Sequence, residues 1–250
     1  VAAEILSVPH FVELIPDSSM KAAEMSEQPR HRLLRLGVVT IAVGVLAGLG
    51  GLTLALLLRL VQHLSYQYQL SPILGEQSFL NGVSEATPMR RLAIMVLCGL
   101  VAGVGWWSVY RFGRPPVSIR EAVASPETPM PTGSTVAHVL LQIVTVAMGS
   151  PLGREVAPRE IGSLLAGSLS RKVGLSPADV RVMIACGAGA GLAAVYNVPL
   201  AGAMFTLERL LGSFSMGLAI PAVTSAVIAA LVAWLGLGNR SQYLLPDMHI

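Results

Sequence analysis

Charge is scarce in this chain: Asp, Glu, Lys and Arg make up 12% of its 250 residues, against roughly 25% in a soluble domain. That shortage excludes an ordinary water-soluble globule. With 53% hydrophobic residues and a mean hydropathy of +0.66, the composition is that of a multi-pass membrane protein. Aromatic residues are few as well, at 5%, which excludes a core built on large rings. The 25 glycines suit helices that pack closely through small residues. Cysteine is limited to Cys98 and Cys186, both inside apolar runs, so buried free thiols are expected and a disulfide or a metal site is not. The formal net charge of +3 is small, and neither a nucleic-acid partner nor a cofactor is expected.

Residues 1–35 mix acidic, basic and proline residues and lack a basic start followed by an apolar core, so no secretory signal is expected. Val1–Ile15 reads as a short amphipathic helix and Pro16–Pro29 as a polar linker. The uncharged run Leu36–Leu58 is long enough to cross about 30 Å of hydrocarbon, with Gly44, Gly48 and Gly51 along one side. Arg30, Arg32 and Arg35 before it favour a cytoplasmic N-terminus in a plasma or inner membrane. Tyr66–Met89 then reads as an outer loop, and Leu92–Val109 crosses back to the belt of Trp106, Trp107 and Tyr110 with Arg111 and Arg114. Arg90 and Arg91 run against the positive-inside tendency at the outer end of that segment. Val117–Ala124 is too short to span, and Val136–Met148 is uncharged. Ser176-Pro177 is a helix-start signal, Asn197 and Pro199 divide the uncharged run Val182–Leu207, and Leu210–Gly238 spans once more. The expected layout is a cytoplasmic segment 1–32, a transmembrane half-domain 33–238 and a polar tail 239–250.

The charged pair in Gly149-Ser-Pro-Leu-Gly-Arg-Glu-Val-Ala-Pro158 interrupts otherwise apolar helix. Gly149 and Gly153 let the backbone bend, Pro151 stops the preceding helix, and Pro158 falls in the first turn of a helix expected from about Glu155 to Leu169. Free N–H groups and the positive end of the dipole make such a start an anion site, which Glu155 can fill itself. Long helices mixed with short, interrupted ones point to a transporter or channel, because loose helix ends at membrane depth must line a cavity or touch an ion.

The stretch Cys186–Leu207 followed by Glu208, with its Asn197-x-Pro199 break and Leu200-Ala-Gly, closely resembles the CLC family of chloride channels and chloride/proton exchangers. Gly153-Arg154-Glu155 lies where that family carries Gly-Arg-Glu-Gly-Pro, with Ile161-Gly162 in register. The resemblance covers about residues 33–238 and implies an all-α, multi-pass fold of long tilted and short broken helices, one half of an inverted repeat. It further implies transport of chloride or a similar small anion and no enzymatic activity. Glu155 takes the gate position, where a carboxylate competes with the anion; a capping or ion-paired glutamate without a transport role is the other reading of this residue. The implied anion-binding set is Arg154, Glu155, Val156 and Ala157 together with Val117, Ser118 and Ile119.

Three departures bear on that set. Pro116-Val-Ser-Ile-Arg-Glu121 stands where the family has Gly-Ser-Gly-Ile-Pro-Glu, so Val117 replaces the serine and only Ser118 offers a hydroxyl. Val156-Ala157 replaces Gly-Pro, and Pro158 follows one place late. Arg209 occupies the position of the exchangers' inner proton-relay glutamate; a permanently charged guanidinium passes no proton on, so coupling is expected to be weak or absent. The same arginine is equally compatible with a side chain that simply reaches the interface.

The family's second half has no counterpart here, so the implied partners beyond the lipid bilayer are a second copy of the chain or a chain carrying that half. Two other readings remain: a non-transporting membrane module that pairs with another chain, which the Gly44–Gly48 spacing permits, and an intramembrane hydrolase. For the latter, Ser213 and Ser215 look like a nucleophile turn, but only His138 among the five histidines falls within an apolar run. Gly187-Ala-Gly-Ala-Gly lacks the strand that a dinucleotide loop needs.

Overall fold

The computed structural model describes residues 29–66 and 79–238. The expected N-terminal amphipathic helix, nearly all of the linker and the polar tail lie outside the described residues. Those described are all-helical: α1 Pro29–Tyr66, α2 Phe79–Glu85, α3 Pro88–Phe112, α4 Ile119–Ala124, α5 Thr132–Ala147, α6 Val156–Lys172, α7 Pro177–Tyr196, α8 Pro199–Met204 and α9 Met216–Leu237. A π-helical stretch, Phe205–Leu211, continues α8. Four helices, α1, α3, α7 and α9, are long and apolar enough to cross a membrane; α5 is apolar but shorter.

Helix α7 is the centre. Of its most apolar window 78% is buried, against 11% for α3, so α7 is core and α3 is periphery. Small residues allow this burial. A Cβ built on Gly187 would collide with the Gly162 carbonyl and the Ala166 side chain, and one on Gly191 with the Pro158 carbonyl. Helices α6 and α7 therefore touch backbone to backbone. The α1 glycines meet neighbours in the same way: a Cβ on Gly44 would lie 2.8 Å from Ile228, and one on Gly48 2.7 Å from Val232, both on α9. The spacing that would permit pairing with another chain is thus occupied inside this one.

Local signals place most boundaries. The Ser176 hydroxyl accepts from the Asp179 N–H at 3.2 Å, with Pro177 in the first turn of α7. Asn197 ends that helix in the left-handed region (φ 55°, ψ 44°), which asparagine tolerates, and Pro199 begins the next one. Elsewhere the expected segments shift. The segment expected as an outer loop contains α2. The first span runs past Leu58 through Arg59 and His63 to Tyr66, and the last begins at Met216, because the π-helical stretch ends only at Leu211 and Gly212 turns the chain at φ 64°. Helix α5 stops at Ala147, before Pro151, through Gly149 at φ 105°. Cys98 and Cys186 are buried free thiols.

The charges that sat awkwardly in the sequence satisfy backbone groups. Arg90 donates to the carbonyls of Ser65 (2.6 Å) and Leu64 (3.2 Å) at the end of α1. Arg91 donates to Ala86 and Ser84, both at 2.9 Å. These carbonyls are among those a helix end leaves unmatched. Between α5 and α6, His138 Nδ1 and a Glu160 carboxylate oxygen lie 2.8 Å apart, with Trp106 of α3 edge-on to the imidazole at 6.0 Å.

Two expectations follow. Gly187→Val should prevent recovery of monodisperse protein in detergent, whereas Gly103→Ala, whose added methyl meets nothing within 4 Å, should leave the melting temperature unchanged or slightly raised; equal behaviour of the two variants would contradict the backbone-contact argument. His138→Ala and Glu160→Ala should each cost about 1–3 kcal/mol, since each strands a half-buried polar partner. The double variant should then cost less than the sum, and strictly additive losses in chemical denaturation would show that the two side chains are not coupled.

Candidate functional site

The turn between α5 and α6 is held from three sides. The Tyr66 hydroxyl donates to the Met148 carbonyl at 2.8 Å, the Cys98 thiol to Thr145 O at 3.5 Å, and the Gln142 side-chain amide to Gly153 O at 3.2 Å. Helices α1, α3 and α5 thereby fix where the chain re-enters at Gly153-Arg154-Glu155.

Glu155 is the N-cap residue of α6, but its side chain makes no capping bond. This corrects the expectation that its carboxylate fills the helix start. The cause is its backbone: at φ −80°, ψ −21° it is already helical, whereas a capping side chain usually hangs from an extended residue. The carboxylate instead folds beside Gly153, and the Tyr196 hydroxyl stands 3.5 Å from one of its oxygens. Arg159 Nε donates to the Glu155 carbonyl at 2.9 Å, with its guanidinium 5.2 Å from the Phe205 ring centre. Arg154 lies over the Tyr196 ring at 5.2 Å. Tyr196 thus bears a cation on its face and a carboxylate at its hydroxyl. Val156 is half-buried and Ala157 fully buried.

The second arm of the expected set lies at α4. Ser118 caps that helix in a closed box: its hydroxyl accepts from Glu121 N at 3.2 Å, and the Glu121 carboxylate accepts from Ser118 N at 2.8 Å. Ser118 is exposed, while Val117 and Ile119 pack against the core. Among the described residues no hydrogen bond or ion pair joins Ser118 to Glu155. Arg209, with Glu208, is exposed on the π-helical stretch.

Behind the turn is a cavity of about 60 Å³, lined by Arg59, Arg154 and apolar residues of α1, α5, α6, α7 and α9. Arg59, Gln142, Arg159, Glu160 and Tyr196 all contribute to this region and were not singled out by sequence. For Arg59 a signal existed, since it is a lone charge that breaks an apolar run.

Comparison with known proteins agrees with this architecture. The family model described as voltage gated chloride channel matches residues 98–250. A voltage-gated ClC-type chloride channel ClcB from Citrobacter koseri is 32% identical over 182 residues, covering 69% of this chain and 43% of the relative. ClcB from Escherichia coli K12 is 33% identical over 178 residues, covering 69% and 41%. The chain thus spans less than half the length of these curated relatives. Among solved structures, a CLC-type fluoride/proton antiporter aligns with a TM-score of 0.66 at 21% identity, covering 90% of this chain and 52% of the other. A slow cyanobacterial Cl−/H+ antiporter aligns at 0.61 and 18%, covering 89% and 50%. At these identities the structural likeness speaks for the fold, and the family model, which matches more than half of the chain, carries the assignment: this chain belongs to the CLC family of voltage gated chloride channels.

Proposed function

We propose that the protein carries chloride or a similar small anion across a cell membrane, with Glu155 as the gate. One observation carries this reading: α6 begins at a sharply held polar turn with no side-chain cap, and the Glu155 carboxylate there lies folded beside Gly153 and the Tyr196 hydroxyl. An uncapped helix start attracts anions through its N–H groups and dipole. A carboxylate at that point can compete for the same position or withdraw when protonated. The printed names of the relatives, chloride channels and anion/proton antiporters, support the same class of cargo.

In this reading Arg154, Val156 and Ala157 border the anion's path, and Val117, Ser118 and Ile119 approach it from α4. Ser118 is exposed, and its hydroxyl and amide serve the α4 capping box. A further chain segment or a second chain would complete the path, and assembly as a dimer is part of the proposal, as is a cytoplasmic N-terminus.

Reconstituted full-length protein is expected to show anion flux that depends on pH, and Glu155→Gln to remove that dependence while flux persists. A variant that keeps the wild-type pH profile would take the gate role away from Glu155. Because Arg209 replaces a protonatable group, an imposed chloride gradient is expected to drive no stoichiometric uphill proton movement in the same liposomes; sustained proton pumping would overturn the uncoupled reading.

A further inference from the structure

Thr87, Ser118 and Ser176 each cap the helix that follows, α3, α4 and α7, with a side-chain oxygen, and all of them are extended, with ψ of 148°, 155° and 152°. Glu155 precedes α6 with a side chain that can accept, yet its ψ is −21° and it makes no capping bond. The angle ψ turns a residue's own carbonyl, so whatever holds the Glu155 carbonyl decides whether its side chain can serve the α6 N–H groups. Beyond the helix ladder, the Arg159 side chain supplies a donor to that oxygen, Nε at 2.9 Å. The bond is charge-assisted, and such bonds are stronger than neutral ones.

Arginine is costly at this position. Arg159 is the fourth residue of α6, where a cation opposes the positive end of the helix dipole. Both of its ends are nonetheless fixed. Its backbone follows Pro158, whose carbonyl meets Gly191 of α7, and its guanidinium lies 5.2 Å from the Phe205 ring centre, within cation–π range. Phe205 is seated in turn, because three residues earlier Gly202 meets Gly189 of α7 so closely that a Cβ on either would collide with the other's carbonyl. Helix α7 therefore anchors both the backbone from which the arginine springs and the ring on which its guanidinium rests.

We propose that Arg159 is the positioning residue of the gate: held on Phe205, it fixes the Glu155 carbonyl in the helical direction and so keeps the carboxylate off the α6 start. The N–H groups there stay open to an anion. Without the guanidinium, Glu155 can adopt the extended backbone of the capping residues of α3, α4 and α7, and its carboxylate, favoured by the dipole, bonds the N–H groups that the anion needs. The anion then competes with a tethered carboxylate. That competition rests on the gate reading of Glu155; the control of its backbone by Arg159 does not.

The test uses full-length protein and Arg159→Met, which keeps an unbranched side chain and removes its donors. A crystal structure of that variant is expected to show Glu155 extended, with its carboxylate bonded to an α6 N–H; a Glu155 unchanged from wild type overturns the proposal. Calorimetric titration with bromide should show binding about tenfold weaker in Arg159→Met, the scale of one charge-assisted hydrogen bond, and a smaller loss in Arg159→Lys, which keeps a charged donor. In a Glu155→Ala background Arg159→Met should change bromide affinity by a far smaller factor, since no carboxylate remains to compete. An equal loss in both backgrounds would show that Arg159 acts on the anion or on folding directly, and overturns the positioning role. If Arg159→Met does not fold, Phe205→Leu, which removes the ring under the guanidinium, is read by the same two measurements. Liposome flux separates the two proposals: a wild-type pH profile in Glu155→Gln removes the gate, whereas the Glu155 backbone in Arg159→Met judges the positioning role independently.

Discussion

The direct backbone contact of α6 with α7 is the constraint on which the rest depends. Gly162 meets Gly187 and Pro158 meets Gly191, with no room for a side chain at any of the three glycines. Two helices this close share one rigid orientation. From Gly187 to Tyr196 is nine residues of helix, a rise of roughly 13 Å, so the contact fixes where the tyrosine at the end of α7 stands relative to the start of α6. Glu155 and Arg154 meet Tyr196 because these small residues set the distance. The same logic explains why so apolar a chain needs so many glycines. In lipid, helices gain little from hiding apolar surface and hold together by close packing.

Punctuation was the legible part of the fold. Ser176-Pro177, the Asn197 and Pro199 break and Pro158 each impose a backbone state on their own neighbourhood, and each appears where the sequence places it. What the sequence concealed depends on contacts at long range. His138 and Glu160 are unremarkable until α5 packs on α6 and brings them to 2.8 Å. The Gly44 and Gly48 stripe announces a close neighbour without saying which, and only the fold names α9. The π-helical stretch was also hidden, because its sequence, Phe205–Leu211, continues the composition of the helix before it. At the site, the position of Glu155 at the start of a helix was readable from the sequence, but the direction of its side chain was not. That direction follows from a backbone angle at Glu155 and from a tyrosine 41 residues away.

The charged residues inside the helical region divide by what they do for the backbone. Arg90 and Arg91 answer carbonyls left over at helix ends, which gives these charges a partner at the start of α3. Arg159 does the same for the Glu155 carbonyl. Ser118 and Glu121 close each other's helix start at α4. The start of α6 has no side-chain cap, and neither do the starts of α5, α8 and α9.

The uncapped start of α6 can be weighed. The first N–H groups of a helix have no partner within it. At α6 neither the cap residue's side chain nor a capping box supplies one, and Pro158 removes only a single donor from the count. In hydrocarbon each unmatched group would cost several kcal/mol, more than close packing of a few glycines returns. Water or an ion that reached those donors would remove that cost. A capping serine at position 155 would satisfy one of these donors. The glutamate, set on an already helical backbone, makes no such bond and leaves the donors open.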